Sequence, residues 1–224
     1  MEYTFSRALG RTFLSAVGQP HFVGVSNLPS SGAAILASNH LSMLDPAYVY
    51  FFADRLVTYA VNADCFNTRK PIGRLWAAYL RWTCQLSLDR ADTRSAQGTL
   101  DAALGVLRKG ELFGIYPEGT RSPDGRLYRG RSGLGYLALK SGAPVIPVGV
   151  IGTRKMLPPG TWIPRPHHIE VRFGTPLTFT DVLGLPQAKA RNAIADRVMA
   201  AIAELSGQEY VHMYASDRKA QLAV

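Results

Sequence analysis

The sequence predicts a single α/β domain in which a mixed β-sheet is flanked by helices. Three observations carry this expectation. Short apolar runs alternate with segments of helical periodicity, without repeats or low-complexity stretches. The 224 residues suffice for one domain of ordinary size with an ample core. Two polar loops rich in functional side chains follow directly on apolar runs, and strand ends are where sites of α/β proteins lie.

The elements can be justified in order. Phe5, Leu9 and Phe13 recur at helical spacing with Arg7 and Arg11 off the stripe, so residues 1–18 are expected to form an amphipathic helix. Two placements fit it: the stripe meets a membrane surface, or it packs on the chain's own domain. The main domain is expected over residues 19–214. Ala33-Ala34-Ile35-Leu36-Ala37 reads as a short buried strand ending at Ser38-Asn39-His40. Pro46 opens a helix running through Phe52. Asp45 either caps that helix or folds back toward His40. Leu112-Phe113-Gly114-Ile115-Tyr116 reads as a strand that Pro117 ends, and residues 118–125 form a loop. Residues 157–164 form another loop, whose Trp162 either tucks in or meets a membrane. His168 to Phe173 is a strand. Gln187 to Leu205 is a helix presenting Ile194, Val198, Ile202 and Leu205 to the core. Residues 215–224 read as a polar, frayed tail.

The two chemistry-bearing loops are Asn39-His40-Leu41-Ser42-Met43-Leu44-Asp45 and Tyr116-Pro117-Glu118-Gly119-Thr120-Arg121-Ser122. The first offers an imidazole and a carboxylate close enough along the chain to meet, as deprotonation of a hydroxyl requires. The second places a carboxylate, a flexible glycine and a guanidinium on one tight turn, which suits an anion such as phosphate. Together they point to group transfer onto the hydroxyl of an anionic substrate. Taken singly, each residue also has a structural reading: a helix cap, a loop histidine, a solvated arginine, a turn glycine.

As full patterns in this order, the loops make the chain resemble the glycerolipid acyltransferase family, which includes the 1-acylglycerol-3-phosphate acyltransferases. Residues 39–45 match that family's Asn-His-x-Ser-x-x-Asp motif in full. Residues 116–122 match its Phe-Pro-Glu-Gly-Thr-Arg-Ser motif with Tyr116 in place of phenylalanine. A second motif, Gly-x-x-Phe-Ile-Asp-Arg, is met weakly by residues 84–90, where Asp89 and Arg90 are kept and Cys84 and Ser87 differ. Val145-Ile146-Pro147-Val148 fits the fourth, and Gly130-Arg131-Ser132-Gly133 stands where the family has Phe-Lys-x-Gly. The resemblance spans roughly residues 20–180.

The resemblance implies a glycerol-3-phosphate acyltransferase-like fold and assigns roles. His40 would be the general base, and Asp45 would hold its tautomer. Arg90, Arg121 and Arg131 would surround the acceptor phosphate. Glu118 would bind a glycerol hydroxyl or fix an arginine. The turn Glu118, Gly119, Thr120 belongs to the substrate site, with backbone N–H groups near Gly119 facing the oxyanion. The implied reaction moves a fatty acyl group from acyl-CoA or acyl carrier protein to 1-acylglycerol-3-phosphate, giving phosphatidate. Another lysophospholipid or a glycolipid is an alternative acceptor, and a non-catalytic lipid-binding protein is an alternative function. No Gly-x-Ser-x-Gly elbow is present, so no acyl-serine is expected and Ser42 reads as a partner within its turn. Residues 133–138 superficially fit a dinucleotide fingerprint, but no clear strand leads into them and the family alignment puts them on a helix.

Composition agrees. Cys65 and Cys84 lack metal-ligand spacing and His167-His168 reads as a solvated strand entry, so no metal and no cofactor are expected beyond the acyl donor as co-substrate. Two cysteines fit a reducing, cytoplasmic location. The start has no signal-peptide layout, and no apolar run approaches the roughly 20 residues of a membrane span. A formal charge of +9 would attract an anionic membrane surface, the lysophospholipid acceptor and the acyl thioester donor, which makes a peripheral enzyme the expectation. The basic-aromatic stretch around Trp76, Tyr79 and Trp82 could equally suit nucleic acid, but nucleic acid is not expected because it leaves both loops unexplained.

Overall fold

The computed structural model describes residues 2–62, 74, 86–88, 93–161 and 163–222. Cys65, Cys84, Arg90 and Trp162, with most of the stretch around Trp76 and Trp82, lie outside them.

The centre of the fold is strand β2 (Ala34–Ser38), buried at every position. A run of consecutive apolar residues is what a strand covered on both faces requires. Seven strands form the sheet: β1 (His21–Val23), β2, β3 (Val57–Asn62), β4 (Leu86–Leu88), β5 (Leu112–Ile115), β7 (Val145–Ile151) and β8 (Glu170–Phe173). Their order is β1-β8-β7-β2-β5-β3-β4. All neighbours run parallel except β7 and β8, so the sheet is mixed, as expected.

Side chains of β2 alternate between two cores. Ala34 and Leu36 face one side, where helix α1 (Glu2–Gly18) and helix α2 (Asp45–Phe52) supply Leu14, Tyr48, Val49 and Tyr50. Ile35 and Ala37 face the other. There helices α3 (Thr93–Arg108), α4 (Gly133–Ser141) and α6 (Gln187–Ser206) supply Ala103, Leu134, Leu137, Ile194, Val198 and Ile202. The predicted inward stripe of the long helix is thus met, with Leu205 half-buried against Gly149. A short helix, α5 (Thr153–Met156), follows β7.

Helix α1 packs through a face the apolar stripe did not indicate. Arg11 Nε donates to the Phe51 carbonyl at 2.5 Å, and Gly10 and Gly18 lie where a Cβ would strike the Phe51 ring and the Tyr48 hydroxyl. Leu14 is buried while Phe13 points outward at 58% exposure. Among the described residues, no helix is long and apolar enough to cross a membrane.

Two further departures concern glycine and the C-terminus. Gly135 does not serve a nucleotide: an added Cβ would run into the Arg191 backbone, so the glycine lets α4 and α6 touch. The residues expected to be a frayed tail form helix α7 (Ala215–Leu222) with Ala215 fully buried. A small parallel pair, β6 (Leu127–Tyr128) and β9 (Tyr210–Val211), anchors the approach to it.

Candidate active site

Strands β2 and β5 are parallel neighbours, with Ala37 opposite Ile115. Their C-terminal exits therefore lie side by side, and residues 39–45 meet residues 116–122 there. Asn39 prolongs the sheet by one rung. Its Oδ1 accepts from the Val150 N–H at 2.7 Å, and its Nδ2 donates to the Val150 carbonyl at 2.8 Å. The chain can then turn sharply at His40 without orphaning the last ladder position.

Asp45 organises that turn. It opens α2, yet it makes no side-chain cap. Its Oδ2 instead accepts from Leu41 N–H at 2.6 Å, from Ser42 N–H at 2.8 Å, and pairs with His40 Nδ1 at 2.8 Å. The capping alternative thus gives way to the fold-back onto His40. Asp45 is fully buried, whereas the His40 side chain keeps 18% of its surface. The tautomer that fits carries the proton on Nδ1 and leaves Nε2 basic. Ser42 Oγ donates to the Leu157 carbonyl at 3.1 Å, a turn-holding role as read from the sequence.

The imidazole plane is fixed by stacking. The His40 and Tyr116 rings lie 3.8 Å apart at 14°, and Tyr59 stacks on the far side of Tyr116 at 5.4 Å. Gly114 makes room for the Tyr59 ring, which a Cβ there would strike. Burial, and then the charge of Asp45, push the Tyr59 phenol well above its ordinary range; burial, then Tyr59, then Asp45 do the same for Tyr116.

Glu118 departs from its expected place. It is 1% exposed and faces no substrate. Its Oε2 accepts from His40 N–H at 3.2 Å and its Oε1 from Tyr128 N–H at 3.0 Å. Burial pushes its pKa up to about 7, against the pull of those two donors. The His40 carbonyl accepts from Ser122 N–H at 2.8 Å, so the two loops are joined at both ends.

Gly119 adopts a left-handed φ of 72°, and its N–H is committed to the Tyr116 carbonyl at 2.9 Å. It is therefore not the oxyanion donor that the sequence suggested. Among the described residues, the N–H groups of Thr120 and Arg121 have no protein acceptor. Nor does the half-buried Arg121 guanidinium. Arg131 lies across Gly119, its Nε 2.9 Å from where a Cβ would stand, and its guanidinium sits 5.1 Å over the Tyr214 ring. Arg90 lies outside the described residues.

Sequence reasoning missed three supports. Arg154 donates to the carbonyls of Ser122 at 3.2 Å and Pro123 at 2.8 Å. Gln208 accepts from Asn39 Nδ2 at 2.6 Å and donates to the Gly125 carbonyl at 2.6 Å. Lys219 donates to Thr120 Oγ1 at 2.5 Å. Each is distant in sequence from what it holds and carries no local signal. No cluster of three or more potential metal-ligating side chains occurs among the described residues.

The geometry is a histidine–carboxylate pair whose basic nitrogen stands beside a turn carrying a guanidinium without a protein acceptor. It can deprotonate a hydroxyl next to a bound anion. Comparison with known proteins agrees with such a site. A sequence model of the acyltransferase family matches residues 19–151, more than half of the chain, and the chain belongs to this family. It is 33% identical over 143 residues to a chloroplastic 1-acyl-sn-glycerol-3-phosphate acyltransferase of Arabidopsis thaliana, covering 62% of this chain and 37% of that protein. It is 32% identical over 149 residues to a 1-acyl-sn-glycerol-3-phosphate acyltransferase of Limnanthes alba, covering 66% of this chain and 51% of that one. The chain thus spans about 37% to 51% of the length of these curated relatives. The fold is shared with the crystal structure of the 1-acyl-sn-glycerophosphate acyltransferase PlsC of Thermotoga maritima, with TM-score 0.68 and 23% identity over 89% of this chain and 77% of that one.

Proposed function

We propose that this chain transfers a fatty acyl group from an acyl thioester to the hydroxyl of 1-acylglycerol-3-phosphate, forming phosphatidate in phospholipid biosynthesis. The observation that carries it is the 2.8 Å contact between His40 Nδ1 and Asp45 Oδ2, set beside the Arg121 turn. The printed names of the relatives support the same acceptor. Acyl-CoA and acyl carrier protein both fit as donor, because the site's chemistry addresses the thioester and not its carrier.

His40 Nε2 takes the proton of the acceptor hydroxyl as its oxygen attacks the thioester carbonyl. Asp45 stabilises the imidazolium that forms. The Thr120 and Arg121 N–H groups are placed to receive the developing oxyanion. Collapse breaks the C–S bond, and the thiolate leaves with the proton returned by His40. The new ester remains on the acceptor, so no acyl-enzyme is needed. Arg121 takes the acceptor phosphate through its planar fork, with Arg131 beside it. Glu118 acts through His40 by fixing its backbone, not by touching substrate.

The test is thiol release from acyl-CoA and from acyl carrier protein, measured with and without 1-acylglycerol-3-phosphate. His40→Ala should lower turnover by about 10²–10⁴-fold with the fold intact. Asp45→Asn should also be impaired, since the imidazole loses its charged partner. Near-wild-type turnover in a folded His40→Ala protein would leave a lipid-binding role in place of the transferase.

A further inference from the structure

The region that the family model matches ends at residue 151, yet the rim of the site is completed far beyond it. Residues 207–222 are stitched to the loop that follows the Arg121 turn. Leu127 N–H donates to the Glu209 carbonyl at 2.9 Å, and Arg129 N–H donates to the Met213 carbonyl at 2.9 Å. Strand β9 pairs with β6, and Gln208 bridges Asn39 to Gly125. These contacts deliver α7 to one place, the turn Gly119-Thr120-Arg121. There Lys219 Nζ donates to Thr120 Oγ1 at 2.5 Å. Arg131 Nη2 donates to Ser216 Oγ at 3.1 Å while its guanidinium covers Tyr214.

The helix therefore does two things at the rim. It brings an ammonium of its own to the residue next to Arg121, and it fixes the reach of Arg131. Thr120's hydroxyl is a neutral partner, so this contact positions the ammonium without cancelling its charge. A phosphomonoester carries close to two negative charges and three acceptor oxygens. One planar fork satisfies two of those oxygens, and a compact ammonium suits the third.

We propose that Lys219 is a phosphate ligand of the acceptor site and that helix α7 is a working part of that site. The inference rests on the phosphate-bearing acceptor proposed above. It assigns recognition of a phosphomonoester to a residue outside the family's matched region.

The experiment uses the full chain and two readouts. Binding of glycerol 3-phosphate is titrated in wild type, Lys219→Gln and Lys219→Arg. KM for 1-acylglycerol-3-phosphate and acceptor-independent thioester hydrolysis are measured alongside. Lys219→Gln should weaken glycerol 3-phosphate binding and raise KM by roughly tenfold, the worth of one charge-assisted hydrogen bond. Hydrolysis should stay near wild type, and Lys219→Arg should restore most of the binding. Unchanged binding in Lys219→Gln overturns the proposal. So does an arginine variant no better than glutamine, because Lys219 would then be a pin for the loop and not a ligand. Lys219-dependent binding without any transfer to 1-acylglycerol-3-phosphate would uphold the phosphate site and sink the acceptor named for it.

Discussion

Glu118 is a buried carboxylate whose two oxygens hold two backbone N–H groups, one of them that of His40. Glu118→Gln keeps the shape but turns an amide N–H₂ toward one of those donors. A loss of about 1–3 kcal/mol is expected, because a buried donor is left without an acceptor. Protonation adds a pH signature. The pKa in the fold is about 7, against an ordinary 4.5, so the folded chain holds the proton longer than the unfolded one. Its contribution is fully present below pH 4.5 and is lost as pH rises through about 7. The stability gap between wild type and Glu118→Gln should therefore narrow between pH 5 and 7, by about 1–3 kcal/mol, and stay level above. Denaturant unfolding at stepped pH measures it, and a gap that widens with pH refutes it. The carboxylate's burial could not be read from the sequence, where a loop glutamate beside an arginine looks solvated. His40 and Asp45 were legible because a five-residue separation across a turn is a local property. The engagement of Gly119 N–H by Tyr116, and the reach of Lys219 to Thr120, were not, since they depend on how distant segments pack.

At the scale of elements, the strand-to-loop junctions were read well because an apolar run ended by a polar turn or a proline is a local signal. Helix α7 was not, because its polar sequence is stabilised by what it lies against. The glycines of α4 give a prediction at this scale. Gly135 lets α4 approach the Arg191 backbone of α6, where a Cβ has no room. Gly135→Ala gains about 1 kcal/mol of helix propensity and forces two backbones apart, at a cost of about 1–3 kcal/mol. Destabilisation should win, and Gly135→Val should be worse. Gly105 of α3 provides the control: among the described residues a Cβ there meets nothing nearer than the Arg108 guanidinium at 4.0 Å. Gly105→Ala should raise stability by about 0.5–1 kcal/mol, as helix propensity alone dictates. Thermal melts of the three variants decide it. If Gly135→Ala is as stabilising as Gly105→Ala, the two helices are not in backbone contact.

For the whole molecule the question is how it meets its lipid. The formal charge is +9, and among the described residues no helix is long and apolar enough to span a bilayer. Two exposed apolar side chains sit on neighbouring elements. Phe13 of α1 is 58% exposed, and Ile163 is 80% exposed. The loop bearing Ile163 returns beside the end of α1, where His167 N–H donates to the Val17 carbonyl at 3.3 Å and Ile169 N–H to the Gly18 carbonyl at 2.9 Å. The same loop touches the site through the Leu157 carbonyl, which accepts from Ser42 Oγ. A surface that is basic, with two apolar side chains close to the catalytic turn, suits shallow seating on an anionic bilayer. The chain should then sediment with vesicles containing anionic lipid and not with neutral ones. Salt should release it, because raising ionic strength from about 0.15 M to 1 M shortens the screening length from about 8 Å to about 3 Å. Phe13→Ser and Ile163→Ser should each weaken binding, by up to about tenfold for a side chain worth about 1.5 kcal/mol when buried. The double variant should bind through charge alone and become the more salt-sensitive protein. Retention that ignores salt and both substitutions would mean that the chain meets lipid through some other surface, and that the charge serves its anionic substrates and not the membrane.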